Sequence, residues 1–206
     1  MNDLWKGLCI SLASLKSLAL ACTFCLAGGG FALAQTPPPC GTRANTGWTT
    51  ENPSLDDQRA IMDVLHSYSW TIDDRDAASF AALFAQPSSS YYELCNVAGR
   101  VIKLTLGTGG SDDLLAGMQT ITNDLREGRV QSRHLVTNTL FDMIDGKTVN
   151  TKSIVLVTVQ YADYPAPNLD YSADARATLV KGAGGAWKFQ SLTVHADTSA
   201  PLTKKR

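Results

Sequence analysis

At 206 residues the chain has room for one domain with a sizeable core and not for two comfortable ones. Its composition, 44% hydrophobic and 18% charged, is that of an ordinary globular protein. A formal charge of −1 supplies no basic surface, which sets nucleic acid aside as a partner.

Residues 1–34 stand apart. Lys6 and Lys16 precede an uncharged apolar stretch that closes on Ala32-Leu33-Ala34 before Gln35, the layout of a secretory signal peptide with an A-x-A cleavage site. An uncleaved anchor is the alternative, since residues 17–34 approach the length that spans a bilayer. Gly28-Gly29-Gly30 and the A-x-A ending favour cleavage, which leaves no stable membrane anchor. The mature protein then starts near Gln35, periplasmic or secreted, with a Pro-rich arm over 35–54, a domain over 55–197 and a tail over 198–206. Cleavage removes Cys9, Cys22 and Cys25 and leaves Cys40 and Cys95. An oxidising compartment favours a disulfide between these two, and two free thiols are the other reading. A bridge would tie the arm to the domain and is worth on the order of 4 kcal/mol.

Ser54 and Asp57 stand at capping-box spacing, and Ile61, Leu65, Tyr68 and Ile72 follow at helical intervals, predicting a first helix over 55–72. "DDRD" interrupts it. Asp76 is placed to cap a short second helix in "AASFAALFA", which stops before Pro87. "SYYELCNV" and "RVIKLTLG" read as strands, and "SDDLLAGMQTITNDLREG" as a third helix capped by Ser111. Four β-rich runs follow, "VQSRHLVTNTLFDMI", "TVNTKSIVLVTVQYA", "YSADARATLVK" and "AWKFQSLTVHA". The D-G and G-G turns between them predict an antiparallel meander. Helices first and a long meander last give the α+β class. N-terminal helices would pack on a strongly curved, mostly antiparallel sheet, a cone-shaped barrel enclosing a pocket.

"YSWTIDDRDAASFAALFA" resembles the Tyr-x4-Asp-x2-Asp-x6-Leu-Phe signature of SnoaL-like domains in the nuclear transport factor 2-like superfamily. "RHLVTN" resembles their strand motif, and "AWKF" resembles their G-x-W-[KR] ending. The resemblance spans about residues 55–197 and implies the cone fold. It leaves the reaction open, because that superfamily holds dehydratases, isomerases, lyases and plain binding modules. In the subset similar to scytalone dehydratase and the dehydrochlorinases, a helix-end Asp hydrogen-bonds a strand His that moves the proton. Asp73 matches that Asp and His134 that His. Tyr171 falls where scytalone dehydratase has a second histidine, and Ile72 where it has a tyrosine.

The chemistry asks for such a pair on its own terms. A neutral imidazole is a competent base near pH 7, and a carboxylate on its other nitrogen fixes the tautomer and stabilises the imidazolium. Asn138, four residues after His134 on one strand, shares its face and could orient a substrate oxygen. Against this stands the reading that the strand simply presents a polar face to water. Tyr68 could donate into the pocket, although its spacing with Ile61 and Leu65 also fits core packing. Tyr91 and Tyr92 point to opposite faces of the first strand, so one of them could line the cavity; the sequence does not decide which, and Tyr91 is carried as the substrate-binding candidate. His195 shares a strand face with Trp187 and Phe189, as pocket wall or subunit interface, and with Tyr171 stands second in rank. Three histidines without HxH or HxxxH spacing set a metal site aside, and no phosphate-loop, dinucleotide or nucleophile-elbow motif is present. A cofactor-free protein is expected.

The expected function is an exported lyase or isomerase of the dehydratase type, abstracting a proton from a small, largely apolar molecule. The alternative is a non-catalytic module that binds a hydrophobic ligand or dimerises. "SIVLVTVQY", apolar on both faces, suits a homo-oligomer, dimer or trimer, under either reading.

Overall fold

The computed structural model describes residues 51–86, 89–99 and 101–199. All of them belong to one compact unit, Thr36–Arg206. The leader, Cys40 and the end of the tail lie outside the described residues.

Helix α1 (Leu55–Asp73) begins where Ser54 Oγ accepts the Asp57 backbone N–H at 3.2 Å. Its face Ile61, Leu65, Tyr68 and Ile72 is buried, as the spacing predicted. Helix α2 (Ala77–Ala82) is capped by Asp76, whose Oδ1 accepts from Ser79 N at 2.9 Å. Strands β1 (Tyr91–Asn96) and β2 (Val101–Thr105) come next, and then a 3-10 turn, Gly110–Asp112. Helix α3 (Leu114–Glu127) is capped by Asp113 and not by Ser111. Ser111 lies inside the 3-10 turn, and the chain turns extended only at Asp113, whose Oδ1 takes the N–H groups of Leu115 and Ala116 at 3.0 and 3.3 Å.

The last four strands, β3 (Val130–Asp145), β4 (Thr148–Tyr161), β5 (Asn168–Lys181) and β6 (Trp187–Ala196), form the expected antiparallel meander. The sheet order is β2-β1-β6-β5-β4-β3, with β1 and β6 parallel. It is therefore a mixed sheet with β2 and β3 as its edge strands, and the expected barrel is not closed among the described residues. One face carries the core, Tyr92, Leu94, Val149, Val155, Val157, Leu179 and Phe189 among others, packed against Ile61, Leu65, Phe80, Leu114 and Met118 of the helices. No helix among the described residues is long and apolar enough to cross a membrane.

Four register shifts interrupt the meander, and two of them decide where candidate residues face. One lies between Thr137 and Leu140 of β3, opposite Ile154 and Lys152, and Asn138 adopts a left-handed φ of 51° there. The other lies on β6, where Thr178 pairs with Ser191 but Leu179 with Phe189. An extra residue shifts alternation by one, so side chains beyond a bulge change faces.

Candidate active site

The site is built on the end of α1. There Asp76 N donates to Thr71 O at 2.8 Å and Arg75 N to Ile72 O at 3.0 Å, with Arg75 left-handed at φ 62°. This is a Schellman motif carried by a residue other than glycine. The guanidinium of Arg75 reaches Val130 O at 2.7 Å, and Gln131 Nε2 reaches Asp73 O at 3.0 Å. The helix end is thus clamped to the start of β3.

The clamp delivers Asp73, 5% exposed, to three donors. His134 backbone N–H donates to Oδ2 at 2.9 Å, Ser132 Oγ to Oδ1 at 2.9 Å, and His134 Nδ1 lies 2.7 Å from Oδ1. A carboxylate in the last turn of a helix faces the negative end of the macrodipole, the wrong sign for stability. Three hydrogen bonds offset that cost. An ionised carboxylate only accepts, so a neutral imidazole facing Asp73 would hold its proton on Nδ1 and keep the lone pair of Nε2 free.

His134 lines a cavity of about 100 Å³. Its apolar wall includes Ile72, Leu94, Met118, Ile121 and Val157, and its polar groups are Ser132, His134, Tyr92, Tyr171 and Asp170. Asp170 is exposed, and among the described residues no lysine or arginine lines the cavity. Burial pushes the Tyr171 hydroxyl well above the usual phenol range, and the neighbouring Tyr92, Asp170 and Asp73 add to it. Burial raises Tyr92 likewise, against a hydrogen bond with Tyr68 that opposes the shift. Both phenols therefore stay protonated and can donate.

The sequence-derived candidates fare unequally. Asp73, His134 and Tyr171 come together. Tyr68 lies in the core behind the wall, fully buried, its ring 6.1 Å from that of His134 in an edge-on contact. Tyr91 faces away from the cavity with Lys103 Nζ 4.4 Å above its ring, and Tyr92 takes the inward position. Asn138 is exposed at the β3 bulge and is not part of the cavity. His195 is buried, but the β6 bulge turns it to the face opposite Val194 and Ala196, away from the cavity. Cys95 is disulfide-bonded and 1% exposed, while Cys40 lies outside the described residues. Ser132 and Gln131 were not singled out from the sequence. Period-two alternation back from His134 would have found Ser132, whereas nothing marked Gln131. Among the described residues no group of three His, Cys, Asp or Glu could hold a metal ion.

A model of the SnoaL-like domain family matches residues 53–193. No curated protein matches the chain at a significant level. Among solved structures, ActVI-ORFA from Streptomyces coelicolor is similar with a TM-score of 0.58 and 20% identity, over 71% of this chain and 98% of that one. Aln2 from a Streptomyces species is similar with a TM-score of 0.56 and 23% identity, over 71% and 94% of the two chains. A protein from Novosphingobium aromaticivorans, provisionally named a scytalone dehydratase, has a TM-score of 0.52 and 19% identity, over 74% and 97%. At these identities the likeness carries the fold alone.

Proposed function

The chain belongs to the SnoaL-like domain family, and from that fold and the cavity we propose that it is an exported acid–base enzyme, a lyase of the dehydratase type or an isomerase. The observation that carries the reading is the 2.7 Å contact of His134 Nδ1 with Asp73, which leaves Nε2 as the basic atom of a ring lining the cavity. His134 takes a proton from a carbon next to a carbonyl or aromatic ring. Tyr171, and Tyr92 beside it, donate to the oxygen that gains charge. The imidazolium, held by Asp73, then returns the proton to a departing hydroxyl or to another carbon. Positioned proton transfer of this kind gives about 10²–10⁴-fold, and the apolar wall adds orientation and exclusion of water. The substrate is small and largely apolar, and the steps require no cofactor.

The arm and leader sequences support export, and in an oxidising compartment the disulfide of Cys95 would be made with Cys40. Leu135, Leu140, Ile154 and Leu156 are exposed on β3 and β4, which supports a homo-oligomer formed through that face. The second reading is a ligand-binding module, favoured by the same apolar lining.

Exchange separates the two readings. A panel of small aromatic ketones is incubated with the protein in D2O, and loss of the α-proton signals is followed by NMR. The enzyme reading expects exchange by the wild-type chain that falls at least 100-fold in His134→Ala. Ligands that bind without exchange would support the module instead.

A further inference from the structure

We infer that Ser132 is a positioning residue that sets the basicity of His134 through Asp73, an inference that rests on the acid–base reading above. Its hydroxyl, 5% exposed on the inward face of β3, donates at 2.9 Å to the same oxygen, Oδ1, that holds His134 Nδ1 at 2.7 Å. Two donors share one carboxylate oxygen. Each draws electron density from it, so the hydroxyl weakens the pull of Asp73 on the imidazole proton. The hydroxyl also favours the ionised carboxylate, which keeps the proton on Nδ1 and the lone pair on Nε2. Without it, Asp73 would give its full charge to the imidazolium. The imidazolium would then be more stable and the free base scarcer.

Ser132 reaches Asp73 by a local device. Gln131 Nε2 bonds both Asp73 O and Ser132 O, at 3.0 and 2.9 Å, and His134 N–H takes Oδ2. The stretch Gln131–His134 therefore grips the end of α1 by backbone and side chain together. Removing one hydroxyl changes the electrostatics of Asp73 while the other three contacts stay.

The titratable and charged groups facing His134 are few. Asp73 and Tyr68 come from α1, Tyr92 from β1, and Tyr171 and Asp170 from β5. The cavity residues of β2, α3 and β4 are apolar: Ile102, then Met118, Ile121 and Leu125, then Val157 and Val159. Because both phenols of the cavity stay protonated, Asp73 is the carboxylate that dominates the imidazole, and its neighbours tune it.

The test is an NMR titration of the His134 ring in the mature protein, comparing wild type with Ser132→Ala, Ser132→Thr and Asp73→Asn. Ser132→Ala is expected to raise the His134 midpoint by about 0.5–1 unit, and Ser132→Thr, which keeps the hydroxyl, to restore it. Asp73→Asn is expected to lower it. A Ser132→Ala midpoint equal to wild type, with Asp73→Asn still lowering it, would overturn the role of Ser132 and leave the pair standing. Midpoints indifferent to both changes would overturn the pair as well. A threonine variant that titrates like the alanine one would show that the hydroxyl is not what matters.

Discussion

Replacing Asp73 by asparagine separates stability from proton transfer. The carboxylate accepts from three donors, Ser132 Oγ and His134 Nδ1 on Oδ1 and the His134 N–H on Oδ2. An amide offers one accepting and one donating atom. The backbone N–H cannot turn into an acceptor, so the amide oxygen must face it, and the NH2 then faces Ser132 and Nδ1. The serine hydroxyl can rotate to accept. The imidazole answers the new donor by moving its proton from Nδ1 to Nε2. No polar group is stranded, and the stability lost is the charge assistance alone. That is about 1–2 kcal/mol, reduced by about 0.5 kcal/mol when a charge leaves the negative end of α1. The proton now sits on the catalytic nitrogen, and α-proton exchange should fall by about 10²–10⁴-fold. Urea unfolding and exchange in D2O measure the two effects on one preparation. A loss of stability beyond about 4 kcal/mol, as for a stranded buried group, would refute the rearranged hydrogen bonding. Exchange at the wild-type rate would refute the role of Nε2.

Three further predictions concern the wall and the frame. Tyr171→Phe keeps the ring, and the lost hydroxyl has no protein partner among the described residues, so stability should stay within about 1 kcal/mol; exchange should slow by about 10²-fold, and equal rates would remove Tyr171 from the reaction. In Gly117→Ala the new Cβ would lie 2.3 Å from Leu104 Cδ2, whose residue is 4% exposed; overpacking of about 1–3 kcal/mol should outweigh about 1 kcal/mol gained in helix propensity, lowering the melting temperature, and a rise would contradict the close approach of α3 to β2. Asp57 is held below the usual carboxylate range, first by the hydrogen bond from Lys181 Nζ and then by that from Trp187 Nε1. Its folded value lies below the unfolded one, so its contribution, about 1 kcal/mol or less at a partly exposed pair, is full above about pH 4 and is lost as pH falls through the folded value. Asp57→Asn should flatten that part of the acid unfolding curve, and an unchanged curve would refute the linkage.

What the sequence disclosed divides along physical lines. The elements were legible because each is written locally: Ile61, Leu65, Tyr68 and Ile72 at helical spacing, Asp76 ahead of α2, Asp145-Gly146 between β3 and β4. The pairing of β1 beside β6 was not, since a parallel neighbour 100 residues away leaves no local trace. The faces of residues beyond a bulge were illegible for a related reason. Asn138 and His195 obey strict alternation on paper, but Asn138 falls within the β3 bulge, exposed and left-handed, and the extra residue on β6 turns His195 to the other side. Alternation says that Tyr91 and Tyr92 differ in face without saying which faces in. Asp73 and His134 could be matched by motif, whereas Ser132 and Gln131 became visible only when the end of α1 was seen resting on β3.

The most direct measurement is the ¹⁵N spectrum of the His134 imidazole in the wild-type protein, above its titration midpoint. A proton on Nδ1, with Nε2 unprotonated, is the expected state, because Asp73 accepts on the Nδ1 side and the cavity receives the other nitrogen. A proton on Nε2, or rapid averaging between the two tautomers, would contradict it. The cavity would then contain no oriented base, and proton abstraction by His134 would fall with it.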